Sequence, residues 1–136
     1  MQKGLVRFGY QHLVYLGAAS QRAAVASECA GEQNAFWEYE DQLYARQEQA
    51  GTAALEAQAL SALASDLGLD VSRFGSCLQS GRYDEVIQKE TNAAEVLGVL
   101  KTPTFLVNGR PVEGALPYDQ FRQVIEDALE DASGRD

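Results

Sequence analysis

The chain has 136 residues and carries 11 Lys and Arg against 20 Asp and Glu, a formal net charge of −9. Its 46% hydrophobic and 23% charged residues are the composition of one globular domain, and a surface this acidic repels phosphate backbones and anionic lipid, which argues against nucleic-acid binding. No apolar run approaches the ~20 residues of a membrane span, and the opening residues, MQKGLVRFGY, have neither the apolar stretch nor the cleavage site of a secretory signal.

Gly4 to Tyr10 alternates, with Leu5, Arg7 and Gly9 on one side and Val6, Phe8 and Tyr10 on the other. That period predicts a strand. Ala18 to Arg46 reads as helix with a break at Gly31. Its first part is alanine-rich, and its second places Phe36, Tyr39, Leu43 and Tyr44 at helical spacing with Asn34 as N-cap. QEQAGTAA reads as a loop or frayed end. Leu60, Leu63, Ala64 and Leu67 form the next stripe, stopped by Gly68. Asp70 can cap a short helix carrying Val71, Phe74, Cys77 and Leu78 on one face, ended by Ser80-Gly81. A longer helix runs from about Tyr83, with Val86, Ile87, Ala94 and Leu97 inward, and closes at Gly98.

Thr104 to Val107 and Arg110 to Glu113 then read as two strands joined by Asn108-Gly109, the dipeptide that a type I′ hairpin turn demands. Leu116-Pro117 opens the last helix, in which Phe121, Val124, Ile125, Ala128, Leu129 and Ala132 make the clearest amphipathic face of the chain. The polar tail is expected to fray. The order is strand, several helices, hairpin, helix, with no internal repeat and no linker.

Four blocks carry a family resemblance. TPTFLVNGRPVEGALPYDQF resembles the C-terminal half of a DsbA-type thiol-disulfide oxidoreductase, a thioredoxin fold with an inserted helical subdomain. RAAVASECAGEQNAFWEYEDQLYARQ and LGLDVSRFGSCLQSGRY resemble the start and the later part of that subdomain, and GLVRFGYQHLVYLG the second core strand and its loop. The resemblance implies an α/β, helix-rich, N-terminally truncated thioredoxin-like fold. Residues 1–17 and 99–136 would be the thioredoxin-core remnant and 18–98 mostly the inserted subdomain. It also implies thiol-disulfide exchange on exported proteins and a periplasmic or other extracytoplasmic setting. The departure is at the start. The family's first strand and its Cys-x-x-Cys helix have no counterpart here, and Val14 stands where many relatives have proline.

Exchange needs a thiolate attacking a disulfide sulfur, and a helix N-terminus lowers the attacking thiol's pKa in Cys-x-x-Cys proteins. Cys29, near the end of an alanine-rich helix, and Cys77, on an apolar face, match neither role, so this chain has no catalytic residue to nominate. By the resemblance they lie on two helices of one subdomain, where some relatives carry a second, non-catalytic disulfide. A Cys29–Cys77 bridge would span 77 − 29 = 48 positions and stabilise by roughly 4 kcal/mol. The alternative is two buried free thiols. Thr102-Pro103 matches the family's cis-proline site, whose backbone pairs with an extended substrate peptide; otherwise Pro103 only shapes the entry to a strand.

No cofactor is implied. With one histidine, His12, no multi-histidine metal cluster can form. Glu38, Glu40 and Asp41 read as a solvated face, and Trp37 as packing. In the family the first strand lies between the two core strands that this chain retains. Its loss would leave open edges and an apolar face, for which self-association, most simply a homodimer, is the predicted remedy. A shortened reading frame and a genuine short paralogue both fit. Two further functional classes compete with disulfide exchange: a non-catalytic module binding a peptide or protein partner, and a glutathione-dependent isomerase or transferase.

Overall fold

A computed structural model describes residues 4–134. Alanine loses no side-chain freedom on entering a helix, and the alanine-rich segment forms α1, Ala18–Gly31. The chain continues through α2 (Phe36–Ala50), a 3₁₀ helix (Gly51–Leu55), α3 (Ala57–Asp66), α4 (Val71–Ser80) and α5 (Asp84–Val96), then the strands β1 (Thr104–Val107) and β2 (Arg110–Glu113), then α6 (Tyr118–Ser133). The segment expected to be a loop after α2 is thus the last helical turn and the 3₁₀ helix.

One closing device ends three of the helices. After α1, Ala35 N–H donates to Ala30 O at 3.1 Å and Asn34 N–H to Gly31 O at 2.9 Å. The same pair of bonds links Leu69 to Ala64 and Gly68 to Ser65 after α3, and Val99 to Ala94 and Gly98 to Glu95 after α5. This is the Schellman arrangement, and it needs a left-handed residue at its pivot. Gly68 and Gly98 supply it at φ 73° and 74°, Asn34 at φ 60°. Asn34 therefore closes α1 rather than capping α2, because asparagine tolerates positive φ better than most residues. At α4 the expected cap does form: the Asp70 carboxylate accepts the Arg73 N–H at 2.9 Å.

The chain divides into two compact units, residues 11–93 and a second made of the residues up to Tyr10 with those from Ala94 onward. The helical unit holds the hydrophobic core. Tyr39, Leu60, Leu63, Phe74 and Ile87 are fully buried there with Cys29 and Cys77. The Tyr39 and Phe74 rings lie 5.6 Å apart, and the Tyr39 hydroxyl donates to Leu60 O at 2.9 Å. A buried phenol needs such a partner. Burial is also the main reason why its hydroxyl is held well above the usual phenol range, against the opposing pull of the Arg46 charge.

Several inward assignments move by one helical position. On α5 the buried face is Ile87, Thr91 and Ala94, while Val86 and, past the helix end, Leu97 are exposed. Thr91 can occupy that face because its hydroxyl accepts the Val14 N–H at 3.1 Å. On α2, Tyr44 and Trp37 are exposed and Glu40 is buried, where its carboxyl meets the hydroxyl of the equally buried Ser27. A satisfied polar side chain thus takes a core position that apolar spacing alone assigns to its neighbour.

In the second unit β1 and β2 form an antiparallel hairpin with Thr104 opposite Glu113, Phe105 opposite Val112, Leu106 opposite Pro111 and Val107 opposite Arg110. Asn108 (φ 48°) and Gly109 (φ 82°) make the type I′ turn. Helix α6 packs on β1, with the Phe105 and Phe121 rings 4.6 Å apart. Its apolar face is only half covered, no residue of α6 being fully buried and Ala132 being exposed. Residues 4–10 form no strand, contrary to the alternation. Alternation sets where side chains go, whereas a strand also needs a hydrogen-bonded neighbour, and the sheet of the described residues contains β1 and β2 alone.

Candidate functional site

The hairpin's phase follows from one bond outside the strands. Gly114 N–H donates to Pro103 O at 2.8 Å, so 103/114, 105/112 and 107/110 are the hydrogen-bonded pairs. The backbone N–H and C=O of Thr104 and Leu106 then point away from β2, toward the side of β1 on which no strand pairs among the described residues. On the outer side of β2 the corresponding position is Pro111, which has no N–H to offer. One edge is therefore guarded by proline and the other is equipped to accept an extended chain.

The residues before β1 are held tightly. The Thr102–Pro103 peptide bond is cis. Thr104 Oγ1 donates to Lys101 O at 2.7 Å, and Lys101 Nζ meets Glu113 Oε2 at 2.7 Å, tying the entry of β1 to the end of β2. Thr102 and Pro103 are exposed. The tip of the hairpin is fastened to α6 by Arg110 and Asp131 at 3.2 Å.

The two cysteines are brought together in the helical unit. Cys29 of α1 and Cys77 of α4 form a disulfide with their Cα atoms 5.8 Å apart. Each residue is 1% exposed, and the chain has no other cysteine. Beside the bridge lies a polar cluster with no signal in the sequence. Glu32, just past α1, accepts from Arg82 Nε at 2.9 Å, Arg82 Nη2 at 3.0 Å and the Tyr83 hydroxyl at 2.9 Å, and its Oε1 lies 3.8 Å from Cys77 Sγ. Partial burial, followed by the hydrogen bond to Glu32, raises the Tyr83 hydroxyl above the usual phenol range. Fifty positions separate Glu32 from Arg82, so only the packing of α1 against α4 makes them neighbours.

His12 packs inside the same unit. It is 4% exposed, its Nε2 lies 3.0 Å from Glu28 Oε1, and its backbone N–H donates to Glu90 Oε2 at 2.8 Å. Together with the Val14 to Thr91 bond, this fastens the segment before α1 to α5. Among the described residues no group of three or more His, Cys, Asp or Glu is placed to hold a metal ion. No helix there is long and apolar enough to cross a membrane.

The arrangement is one of a shielded disulfide in a helical unit and a hairpin in which the strand after a cis proline has one edge unpaired among the described residues. The comparisons with known proteins agree with that frame. The chain is 38% identical over 104 residues to a Na⁺/H⁺ antiporter NhaA of Herminiimonas arsenicoxydans, which covers 76% of this chain and 16% of the antiporter. It is 39% identical over 116 residues to Na⁺/H⁺ antiporter NhaA 3 of Salinispora tropica, covering 84% of this chain and 17% of that protein. It is also 24% identical over 132 residues to disulfide bond formation protein D of Bacillus subtilis, 95% of this chain and 60% of the relative. The chain thus spans under a fifth of these antiporters and three-fifths of the disulfide protein. The family model described as thioredoxin matches residues 1–127. With its helix-rich α/β fold and a match over nearly the whole of its length, the chain belongs to the thioredoxin family.

Proposed function

We propose that this polypeptide is a DsbA-like domain of thiol-disulfide exchange on exported proteins that supplies the peptide-facing strand edge but carries out no dithiol exchange by itself. The observation that carries this reading is the state of its cysteines: both are joined in a buried bridge, and exchange requires a thiolate. The match to a disulfide bond formation protein supports the family role. A disulfide of this kind also favours an oxidising, extracytoplasmic compartment. Thr102 and Pro103 would meet the extended substrate, with the outward N–H and C=O groups of Thr104 and Leu106 continuing the pairing. The test is insulin reduction in the presence of dithiothreitol. This polypeptide should leave the rate at background, and catalysis would refute the reading.

A second reading is a non-catalytic module that binds a peptide or protein, most simply a second copy of itself. The observation in its favour is apolar exposure in the hairpin unit: Val96 is 87% exposed, Leu100 84% and Leu106 47%. Light scattering should then show a dimer at micromolar concentration, and capture of extended peptides should be lost in Pro103→Ala. The two antiporter relatives suggest a setting for either reading, as an accessory domain of a membrane cation/proton exchanger. A glutathione-dependent isomerase or transferase is a third class. Saturable binding in a glutathione titration would revive it.

A further inference from the structure

We infer that Glu32 is an electrostatic shutter over the Cys29–Cys77 bridge, making its reduction selective for the charge of the attacking thiol. The inference is independent of the proposed function. The sulfurs are enclosed by α1 and α4, each cysteine being 1% exposed. The Glu32 side chain, 20% exposed, spans from solvent to within 3.8 Å of Cys77 Sγ. A disulfide sulfur has no proton to donate, so this contact is a carboxylate lying against the sulfur, not a hydrogen bond between them.

The carboxylate is fixed there. Arg82 and the Tyr83 hydroxyl hold its oxygens, and Arg73 Nη2 donates to the Glu32 backbone carbonyl at 3.3 Å. Cations are therefore present, but in the Glu32 side chain the negative group is the one in contact with the sulfur. Arg82 pairs with Glu32 and is itself 48% exposed, where solvent screens it.

Reduction begins when an external thiolate, RS⁻, attacks Cys77 Sγ. An R–S–S–Cys77 bond forms, the Cys29–Cys77 bond breaks and Cys29 leaves as thiolate. A second thiolate then attacks the mixed disulfide, releasing Cys77 and RSSR. Two thiols are oxidised and one disulfide is reduced. The attacking sulfur is anionic in every case, so the charge elsewhere on the reagent distinguishes one thiol from another. A cationic substituent is drawn toward Glu32 and an anionic one repelled, which protects the bridge from anionic thiols in particular.

The test measures reduction of the native, oxidised chain by cysteamine, 2-mercaptoethanol and 2-mercaptoethanesulfonate. Each rate is divided by that thiol's rate with bis(3-hydroxypropyl) disulfide, a neutral disulfide of none of the three, which removes differences in intrinsic reactivity. Wild type should favour the cationic reagent over the anionic one. Glu32→Gln should lower that ratio by about five-fold, because the charge acts oppositely on the two reagents and changes each rate by about two-fold when their substituents pass roughly 8 Å away in water. Arg82→Gln should move it the other way, by about three-fold. Far-UV circular dichroism verifies the fold, and if Glu32→Gln does not fold, the direction of the Arg82→Gln shift decides. A ratio that neither substitution changes would overturn the inference. So would reduction whose rate is independent of thiol concentration, since opening of the fold rather than approach to Cys77 would then be limiting.

Discussion

Reducing the Cys29–Cys77 bond should cost the helical unit a large share of its stability. The bridge joins residues 48 apart in sequence. A cross-link over a loop of that length removes conformational entropy from the unfolded chain worth about 4 kcal/mol at room temperature. Domains of this size are stable by only ~5–15 kcal/mol. The assay is urea unfolding with and without a phosphine reductant, followed by far-UV circular dichroism and by fluorescence of Trp37, the single tryptophan, which lies on α2 of the helical unit. With a urea dependence of about 2 kcal/mol per molar, the midpoint should fall by about 2 M on reduction. The slope should rise as well, because the reduced unfolded chain is less compact. A midpoint shift below about 0.5 M would refute the loop-entropy argument. It would mean that the reduced unfolded chain keeps the α1 and α4 segments close without the bridge, so that the cross-link removes little entropy.

Tyr39→Phe should reverse its effect with pH. Below about pH 10 the folded and unfolded phenols are both protonated, so wild type keeps the advantage of its bond to Leu60 O, about 1 kcal/mol. Above that pH the unfolded phenol ionises while the folded one, with its raised pKa, does not. Wild-type stability then falls by up to about 1.4 kcal/mol per pH unit relative to the variant. Urea midpoints at about pH 8 and pH 11 should cross, and a constant difference would contradict the burial argument; Tyr83, raised in the same direction, is present in both proteins. Asp70→Ala should cost about 1 kcal/mol by freeing the Arg73 N–H, and Asp70→Ser should recover most of it. Equal losses in the two would place the effect elsewhere than the cap. Gly109→Ala puts a side chain at φ 82°, at a cost of about 1–2 kcal/mol. Amide exchange at Phe105 and Val107 should accelerate about ten-fold, and unchanged exchange would show that the turn does not limit hairpin opening.

Much of the fold follows from local signals in the sequence. The Asn108-Gly109 pair determined the hairpin, because few other residues enter two successive left-handed positions. Asp70, Gly68, Gly81 and Gly98 marked helix ends by the same kind of local chemistry. Alanine content and apolar spacing located α1, α3, α4 and α6. These features depend on residues within a few positions of one another, and four such blocks in order were enough to resemble a thioredoxin fold.

What remained open depended on partners distant in sequence. The alternation of residues 4–10 could not reveal whether a neighbouring strand would pair with them. Apolar spacing placed Val86 and Tyr44 inward, whereas the core accepted Thr91 and Glu40, because hydroxyl and carboxyl partners on other segments satisfied them. The sequence leaves the pairing of Cys29 with Cys77 as one of two alternatives, and the approach of α1 to α4 settles it. Glu32 gave no signal at all, since its role at the sulfur comes from Arg82 and Tyr83, some fifty residues away. By itself the sequence determined helix ends, the hairpin and the family resemblance, which arise from short-range backbone preferences. The tertiary structure decided which polar groups could be buried and which cysteines met, because each requires two distant segments to be brought within bonding distance.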